Sequence, residues 1–405
     1  MVATQARDRV GGVEAYLEAV LPALADRYEV AFFSASDEIT ARGAIALPQG
    51  VERIALDLGA SDRLRLLRAW RPDLVFAHGL EDPVLERDVV ALAPAVIVQH
   101  TYHGTCISSS KTKTLPTVRA CTRALGPACL AIYLPRGCGG RNPLTMVRLY
   151  RTQMARLQTL ESVSAVVTLS EHMAGEMIRN GVDAERVHVV PPFVSGAATP
   201  FESASDRTPG APVRLLYLGR LERLKGVDRL LAAMPIVARA IERPVWLTVA
   251  GDGSQRPELE RVAAALCAKD ARLRIEFAGW QSEGERAEQL ARADALVVPS
   301  IWPEPFGLVG LEAANAGVPA VAFATGGIPE WLEDGVSGCL ARSESRKPSD
   351  LAAAIVACVK DADTLQRLRA GARRSAARWT IARHLDGLDR VFARVAGAVS
   401  IGHAS

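Results

Sequence analysis

Two successive series of short apolar runs, each alternating with stretches of helical period, constrain this chain more than any other feature. The first series has strand-like runs at 28–33 (YEVAFF), 74–77 (LVFA), 95–99 (AVIVQ), 165–169 (AVVTL) and 187–190 (VHVV). The second restarts at 213–218 (VRLLYL) and continues through 245–250 (VWLTVA), 273–277 (LRIEF), 295–298 (ALVV) and 319–323 (PAVAF). Apolar runs this short, without strict alternation and separated by helices, predict an α/β chain with mainly parallel sheets. Between the series lies GAATPFESASDRTPGAP, residues 196–212, which has no apolar period and reads as a linker. Two Rossmann-like domains are therefore expected, 1–200 and 211–379. Ligands of such sheets bind outside the carboxyl ends of the strands.

The chain's 405 residues suffice for two or three cores, and 49% hydrophobic with 23% charged residues is ordinary globular composition. No run of about 18 apolar residues appears, so no membrane-spanning helix is predicted. The N-terminus lacks a charged-then-apolar signal pattern, so a cytoplasmic location is expected rather than secretion. A net charge of +3 gives no reason to expect a nucleic-acid partner. Its distribution is one-sided, because no acidic residue occurs between Asp88 and Glu161. That interval carries Lys111, Lys113, Arg119, Arg123, Arg136, Arg141, Arg148, Arg151 and Arg156. Three readings compete: an anionic acceptor, an anionic membrane surface, or cations neutralised by acids elsewhere in the chain. Four of the seven cysteines, Cys106, Cys121, Cys129 and Cys138, fall in the same interval. Their spacing matches no Cys-x2-Cys knuckle, which leaves packed thiols, a structural metal cluster and disulfides open.

The chemistry concentrates in PSIWPEPFGLVGLEAANAGVPAVAFATGGIPEWLEDGVSG, residues 299–338. Glu304 sits in a Pro-Glu-Pro-Phe-Gly turn, and Glu312 lies eight residues on, in a helix that Gly307 opens and that Gly317 and Pro319 close. The first N–H groups of a helix have no partner within it, and with the positive dipole end they suit a diphosphate. Phe306, Gly307 and Leu308 would then border the phosphates. Glu304 would meet a sugar and Glu312 the ribose hydroxyls. Upstream, strand 213–218 runs into Gly219-Arg220-Leu221-Glu222-Arg223-Leu224-Lys225-Gly226. There Arg220 offers a planar fork and Lys225 a mobile point charge to phosphate oxygens. Val249-Ala250-Gly251-Asp252-Gly253 lacks the third glycine of a dinucleotide fingerprint and is expected to shape the site. Phe277-Ala278-Gly279-Trp280 follows another strand; Trp280 either stacks on a base or belongs to the core, and the core is favoured. In AVIVQHTYHGTC, residues 95–106, a strand ends at His100, with His103 as second candidate for a sugar contact.

Together these segments resemble the retaining GT-B glycosyltransferases of family 4, also called group 1. The matching motifs are the Glu-x7-Glu segment of Glu304 and Glu312, the Gly-Arg-x5-Gly loop of Gly219 to Gly226, the base-reading loop at 277–280, and Gly326-Gly327. Val10-Gly11-Gly12-Val13-Glu14 resembles the family's first loop, which places Gly12 among the donor-binding residues, although only Met1-Val2-Ala3-Thr4 precedes it as a strand. The resemblance implies a GT-B fold, two Rossmann-like domains facing a cleft, with the helix at 380–397 crossing back onto the first. It implies Arg220 and Lys225 on the donor diphosphate, Glu304 and His100 as catalytic residues, and Thr101 in place of the family's usual Asp or Asn. Segment 100–143, with Gly104-Thr105-Cys106 and Arg136-Gly137-Cys138-Gly139-Gly140, resembles a cysteine-containing subset and puts His103 and Arg136 on the acceptor side.

The implied activity is a metal-independent hexosyl transfer from a UDP- or GDP-sugar to a glycan, lipid-linked or polysaccharide acceptor, with no cofactor required. No Asp-x-Asp motif stands where a divalent ion would be held. Peripheral contact with an anionic membrane, at its inner face, follows from the acid-free segment if the second reading of it holds. The rival readings are a sugar-nucleotide epimerase or phosphorylase and a non-catalytic GT-B-like subunit. A phosphorylase would need a pyridoxal phosphate lysine, for which the sequence offers no candidate, and a lapsed subunit should have lost Glu304 or Arg220.

Overall fold

A computed structural model describes residues 2–5, 12–34, 47–54, 60–194, 210–342 and 346–402. The linker read at 196–212 and the Val10-Gly11 part of the first loop lie mostly outside them. The chain divides into two compact units: Met1–Leu115 with Cys121–Pro192 and Ile381–Ser405, and Phe193–Thr380 with Pro116–Ala120. The last helix, Ile381–Gly402, is thus part of the first unit.

The first unit holds a seven-stranded sheet in the order Glu52–Arg53, Ala31–Ser34, Val2–Gln5, Val75–Ala77, Ala95–Gln99, Ala165–Thr168, Val187–Val189. Every neighbouring pair is parallel. The second unit holds six parallel strands in the order Leu273–Gly279, Val245–Ala250, Val213–Leu218, Ala295–Val298, Ala320–Phe323, Gly338–Ala341. In both sheets the chain starts in the middle, winds outward to one edge, then returns to fill the other side. The strand order therefore reverses between Val213–Leu218 and Ala295–Val298 in the second unit, and between Val2–Gln5 and Val75–Ala77 in the first. Loops leaving the carboxyl ends of two such strands diverge and open a crevice, which is where open α/β sheets bind ligands.

The central strands are largely apolar because helices cover both faces. Ala295–Val298 and Ala320–Phe323 are buried at every position. Helix Val227–Ile241 turns Val227, Leu230, Leu231, Met234, Val237 and Ala238 onto the sheet, a helical stripe, and packs beside Pro348–Val359 in one continuous core. Full burial of each large aliphatic side chain there contributes about 1.5–3 kcal/mol. Expected strand 28–33 is shifted to Ala31–Ser34, and two strands without an apolar run long enough to read, Glu52–Arg53 and Gly338–Ala341, complete the edges.

Candidate active site

At the reversal point of the second sheet, the loop after Val213–Leu218 meets the loop after Ala295–Val298. Lys225, in the one-turn helix Arg223–Lys225, donates from Nζ to Glu304 Oε1 at 2.8 Å. Ser300 Oγ donates to the same oxygen, and the Lys225 ammonium stands 5.4 Å from the centre of the Trp302 ring. Backbone bonds hold the two loops together, with Ile301 N–H donating to Leu224 O at 2.9 Å. Gly226 permits the approach: at its φ of +72° a Cβ would fall 2.0 Å from Pro299 O.

Glu304 is buried. Burial alone would push its carboxyl up, but the Lys225 charge and hydrogen bonds from Lys225, Ser300 and Trp302 outweigh it and hold the carboxyl below its usual range. The site thus keeps an ionised carboxylate in a dry position. Arg220 leaves the same loop exposed, its carbonyl taken by Tyr217 OH at 2.7 Å. No partner for its guanidinium occurs among the described residues.

The Gly251–Gly253 turn packs on that loop. A Cβ on Gly251 would lie 1.9 Å from Gly219 O, and Leu221 N–H donates to Asp252 O at 2.8 Å. Its glycines serve close backbone approach. Gly326-Gly327 does the same for the acidic turn, since Gly327 N–H donates to Glu304 O at 2.8 Å.

Helix Leu308–Asn315 begins at Gly307, whose φ of +100° only glycine adopts readily. Gly310 allows this helix to lie against Trp331, where a Cβ would come within 2.0 Å of the indole. Glu312 sits just over a turn in, about a third exposed, with Arg286 3.6 Å away. Desolvation pushes its carboxyl up, opposed by Arg286.

Phe306, just before this helix, has its side chain buried against Trp379, 5.3 Å between ring centres, and Trp331 Nε1 donates to its carbonyl at 2.6 Å. One expectation needs correction. Trp280 is not core. It is 65% exposed, because the strand ends at Gly279 with φ +72° and the indole falls beyond the turn.

In the first unit, Gly12 is exposed at the start of helix Gly12–Ala25. His100, half-buried, shares a 3.0 Å hydrogen bond from Nε2 with Nδ1 of His78. His78 follows strand Val75–Ala77 as His100 follows Ala95–Gln99, and the two strands are neighbours. Tyr16 packs on both rings, with centroids at 5.4 and 5.3 Å, and also on His384. His384 Nδ1 lies 2.7 Å from Pro191 O, which can only accept, so Nδ1 carries the proton. Its Nε2 then accepts from Tyr16 OH at 2.8 Å. Tyr16, His78 and His384 were not foreseen. His103 lies half-buried in the next turn, and Arg136 is exposed at the end of helix Ala128–Arg136.

Burial pushes His100 down to about 3, with the nearby His384 adding to it, and pushes His384 down to about 4 against the pull of the Pro191 carbonyl. His78 is held well below its ordinary value by burial first, then by the other two imidazoles. All three are neutral at pH 7. A folded-state value below the unfolded one means stability that is complete above about 6.5 and lost as pH falls toward 4. For His384 the loss at pH 5 is about 2 kcal/mol. Denaturant titrations at pH 7 and pH 5 should show a drop that shrinks by about that amount in His384→Gln.

Two cations of the acid-free segment are neutralised by acids from outside it. Arg156 pairs with Glu86 at 2.6 Å and Lys111 with Glu176 at 2.6 Å, all four buried. Arg136, Arg141, Arg148 and Arg151 stay exposed.

The signature described as "Glycosyl transferases group 1" spans residues 199–375, and that described as "Glycosyltransferase Family 4" spans 10–195. The chain belongs to the family 4, group 1 glycosyltransferases. Glycogen synthase of Mycobacterium tuberculosis is 32% identical over 320 residues, covering 76% of this chain and 64% of that protein. A D-inositol 3-phosphate glycosyltransferase of Geodermatophilus obscurus is 38% identical over 238 residues, 56% of this chain and 50% of its own. The matches thus span between half and two thirds of these relatives' length. Among solved structures, Anabaena Alr3699/HepE in complex with UDP-glucose superimposes with a TM-score of 0.69 at 19% identity, covering 97% of this chain and 99% of that one. Sucrose-phosphate synthase of Thermosynechococcus elongatus gives 0.70 at 18%, covering 98% and 99%. At these identities the likeness shows the fold, GT-B.

Proposed function

We propose that this family member is a retaining glycosyltransferase that moves a hexose from a UDP- or GDP-sugar to a glycan or lipid-linked acceptor, without a divalent metal, in cell-surface glycan synthesis. The observation that carries the reading is the Lys225–Glu304 pair at the sheet's reversal point. An ammonium has three donors. With one on Glu304, others remain for a diphosphate, and the exposed Arg220 adds a fork from the same loop. As the glycosidic bond breaks, negative charge grows on the β-phosphate. Lys225, Arg220 and the N–H groups at Gly307–Leu308 stabilise it, which is the role a metal plays elsewhere. The ionised Glu304 orients the donor sugar, and Glu312 accepts from the ribose. The neutral imidazole of His100, oriented by His78, hydrogen-bonds sugar hydroxyls. Trp280, exposed at the end of its strand, is positioned to stack on the base.

UDP-glucose leads the donor candidates, because Alr3699/HepE is known with UDP-glucose bound. A thermal-shift screen against UDP-, GDP-, ADP- and dTDP-sugars in EDTA tests the reading. A ligand at about 100 times its Kd adds roughly 2.7 kcal/mol, so one base should stand out. No shift with any of them would favour the non-catalytic subunit.

The acceptor reading rests on helix Pro143–Ser162, which Asn142 caps through Leu144 N–H at 2.9 Å. Leu144, Val147, Arg148 and Arg151 are spaced three and four apart and so share one face. Leu144 is 81% exposed, Val147 is exposed too, and neither arginine meets an acid among the described residues. An apolar tip with cations behind it suits the surface of an anionic membrane and a lipid-diphosphate acceptor. Arg148→Glu with Arg151→Glu should cut co-sedimentation with anionic vesicles at low salt several-fold, leaving donor-induced thermal shifts intact. Unchanged sedimentation would remove the membrane from the proposal.

A further inference from the structure

Cys106, Cys121, Cys129 and Cys138 all line one cavity of about 10 Å³ within the first unit, together with Lys111 and Arg123. They reach it from three separate pieces of chain. Cys106 comes from the loop beyond His100. Cys121 is tied to Lys111, its N–H donating to the Lys111 carbonyl at 2.6 Å. Cys129 opens helix Ala128–Arg136, and Cys138 follows its left-handed cap Gly137, φ +59°. The cap turns the chain back, so Cys138 N–H donates to Tyr133 O at 3.0 Å and its thiol returns along the helix to Ile132 O, 3.9 Å away. The turn is fixed by its surroundings: a Cβ on Gly137 would lie 2.4 Å from Thr114 Oγ1. None of the four is in a disulfide, and Cys106, Cys129 and Cys138 are buried.

We propose that these four cysteines bind a soft-metal centre through their thiolates and so staple the 104–140 insertion. Sulfur donors converging from separate segments select zinc or iron–sulfur cores over hard cations. As they stand, no three or more His, Cys, Asp or Glu among the described residues are already arranged to hold a metal ion. Binding either kind of centre therefore requires the four thiols to shift around it. Binding takes four protons off the thiols and leaves the site with a net charge of about −2. Arg123 at the cavity wall suits an anionic centre, while Lys111 there is already paired with Glu176.

The test is independent of the donor reading. The full chain, purified anaerobically without chelator, is assayed for zinc, iron and acid-labile sulfide. Either iron with matching sulfide or zinc without it, at about one centre per chain, supports the site and decides its kind. Cys129→Ala and Cys138→Ala should each lower the content at least five-fold, while Cys267→Ala, in the other unit, leaves it unchanged. The proposal fails if wild-type chain holds neither metal as isolated nor after incubation with zinc, or with ferrous iron and sulfide under reduction. It fails equally if the two cysteine variants keep their metal.

Discussion

Lys225→Ala is expected to lower kcat/KM by at least two orders of magnitude and to destabilise the fold by about 2–3 kcal/mol. Both effects come from one ammonium. Its removal leaves the Glu304 carboxylate buried, with only Ser300 and Trp302 to satisfy it. Breaking a fully buried pair costs about 3–5 kcal/mol, and the 23% exposure of Lys225 moves this pair to the lower side. The pH dependence should change sign with the variant. In the wild type the depressed Glu304 carboxyl contributes stability that is lost as pH falls through its folded-state value. Without Lys225, burial prevails and the carboxyl rises, so stability is gained as pH falls and the group takes up a proton. Urea unfolding at several pH values checks the sign. A variant that unfolds like the wild type at every pH would show that the pair does not hold the turn.

Gly326→Ala should be nearly as damaging, though Gly326 touches no ligand in this account. Its φ is +61°, and a Cβ would lie 2.2 Å from Glu304 O and 2.4 Å from Glu304 N. Left-handed backbone costs a non-glycine residue about 1–2 kcal/mol. The clash adds more, because backbone atoms cannot rotate away as a side-chain tip can, so the Pro303–Glu304 turn must move. A total of about 3 kcal/mol is expected, with most activity lost. Gly335→Ala is the matched control: φ is +74° and nothing lies within 4 Å of the added Cβ. It should show the backbone cost alone and keep full activity.

The parallel strands 213–218, 245–250 and 295–298 were legible to the residue, because strands covered on both faces carry near-continuous apolar runs. Gly338–Ala341 was not, since it opens on a glycine, which lets Ala320 O come within 2.1 Å of the Cβ position, and has only three apolar residues after it. The residues proposed to hold the donor could be picked out singly by chemical type, yet Lys225 and Glu304 lie 79 positions apart and nothing local predicts their contact. Tyr16 and His384 are 368 apart, beyond any spacing rule. His78 did leave a signal, a histidine closing an apolar run in the same manner as His100, and pairing the two strand ends would have found it. Trp280 misled because a tryptophan after a strand is usually core, and only the left-handed turn at Gly279 reveals otherwise.

The most direct test of the central claim is calorimetric titration of UDP-glucose into the wild type and Arg220→Ala, both in EDTA. Binding to the wild type is expected without any divalent ion, with a loss of about 2 kcal/mol or more in the variant, whose fold should be unaffected because Arg220 is exposed. If GDP-glucose alone binds, the base assignment changes and the site stands. Binding that needs a divalent metal, or that Arg220→Ala leaves unchanged, would contradict the account.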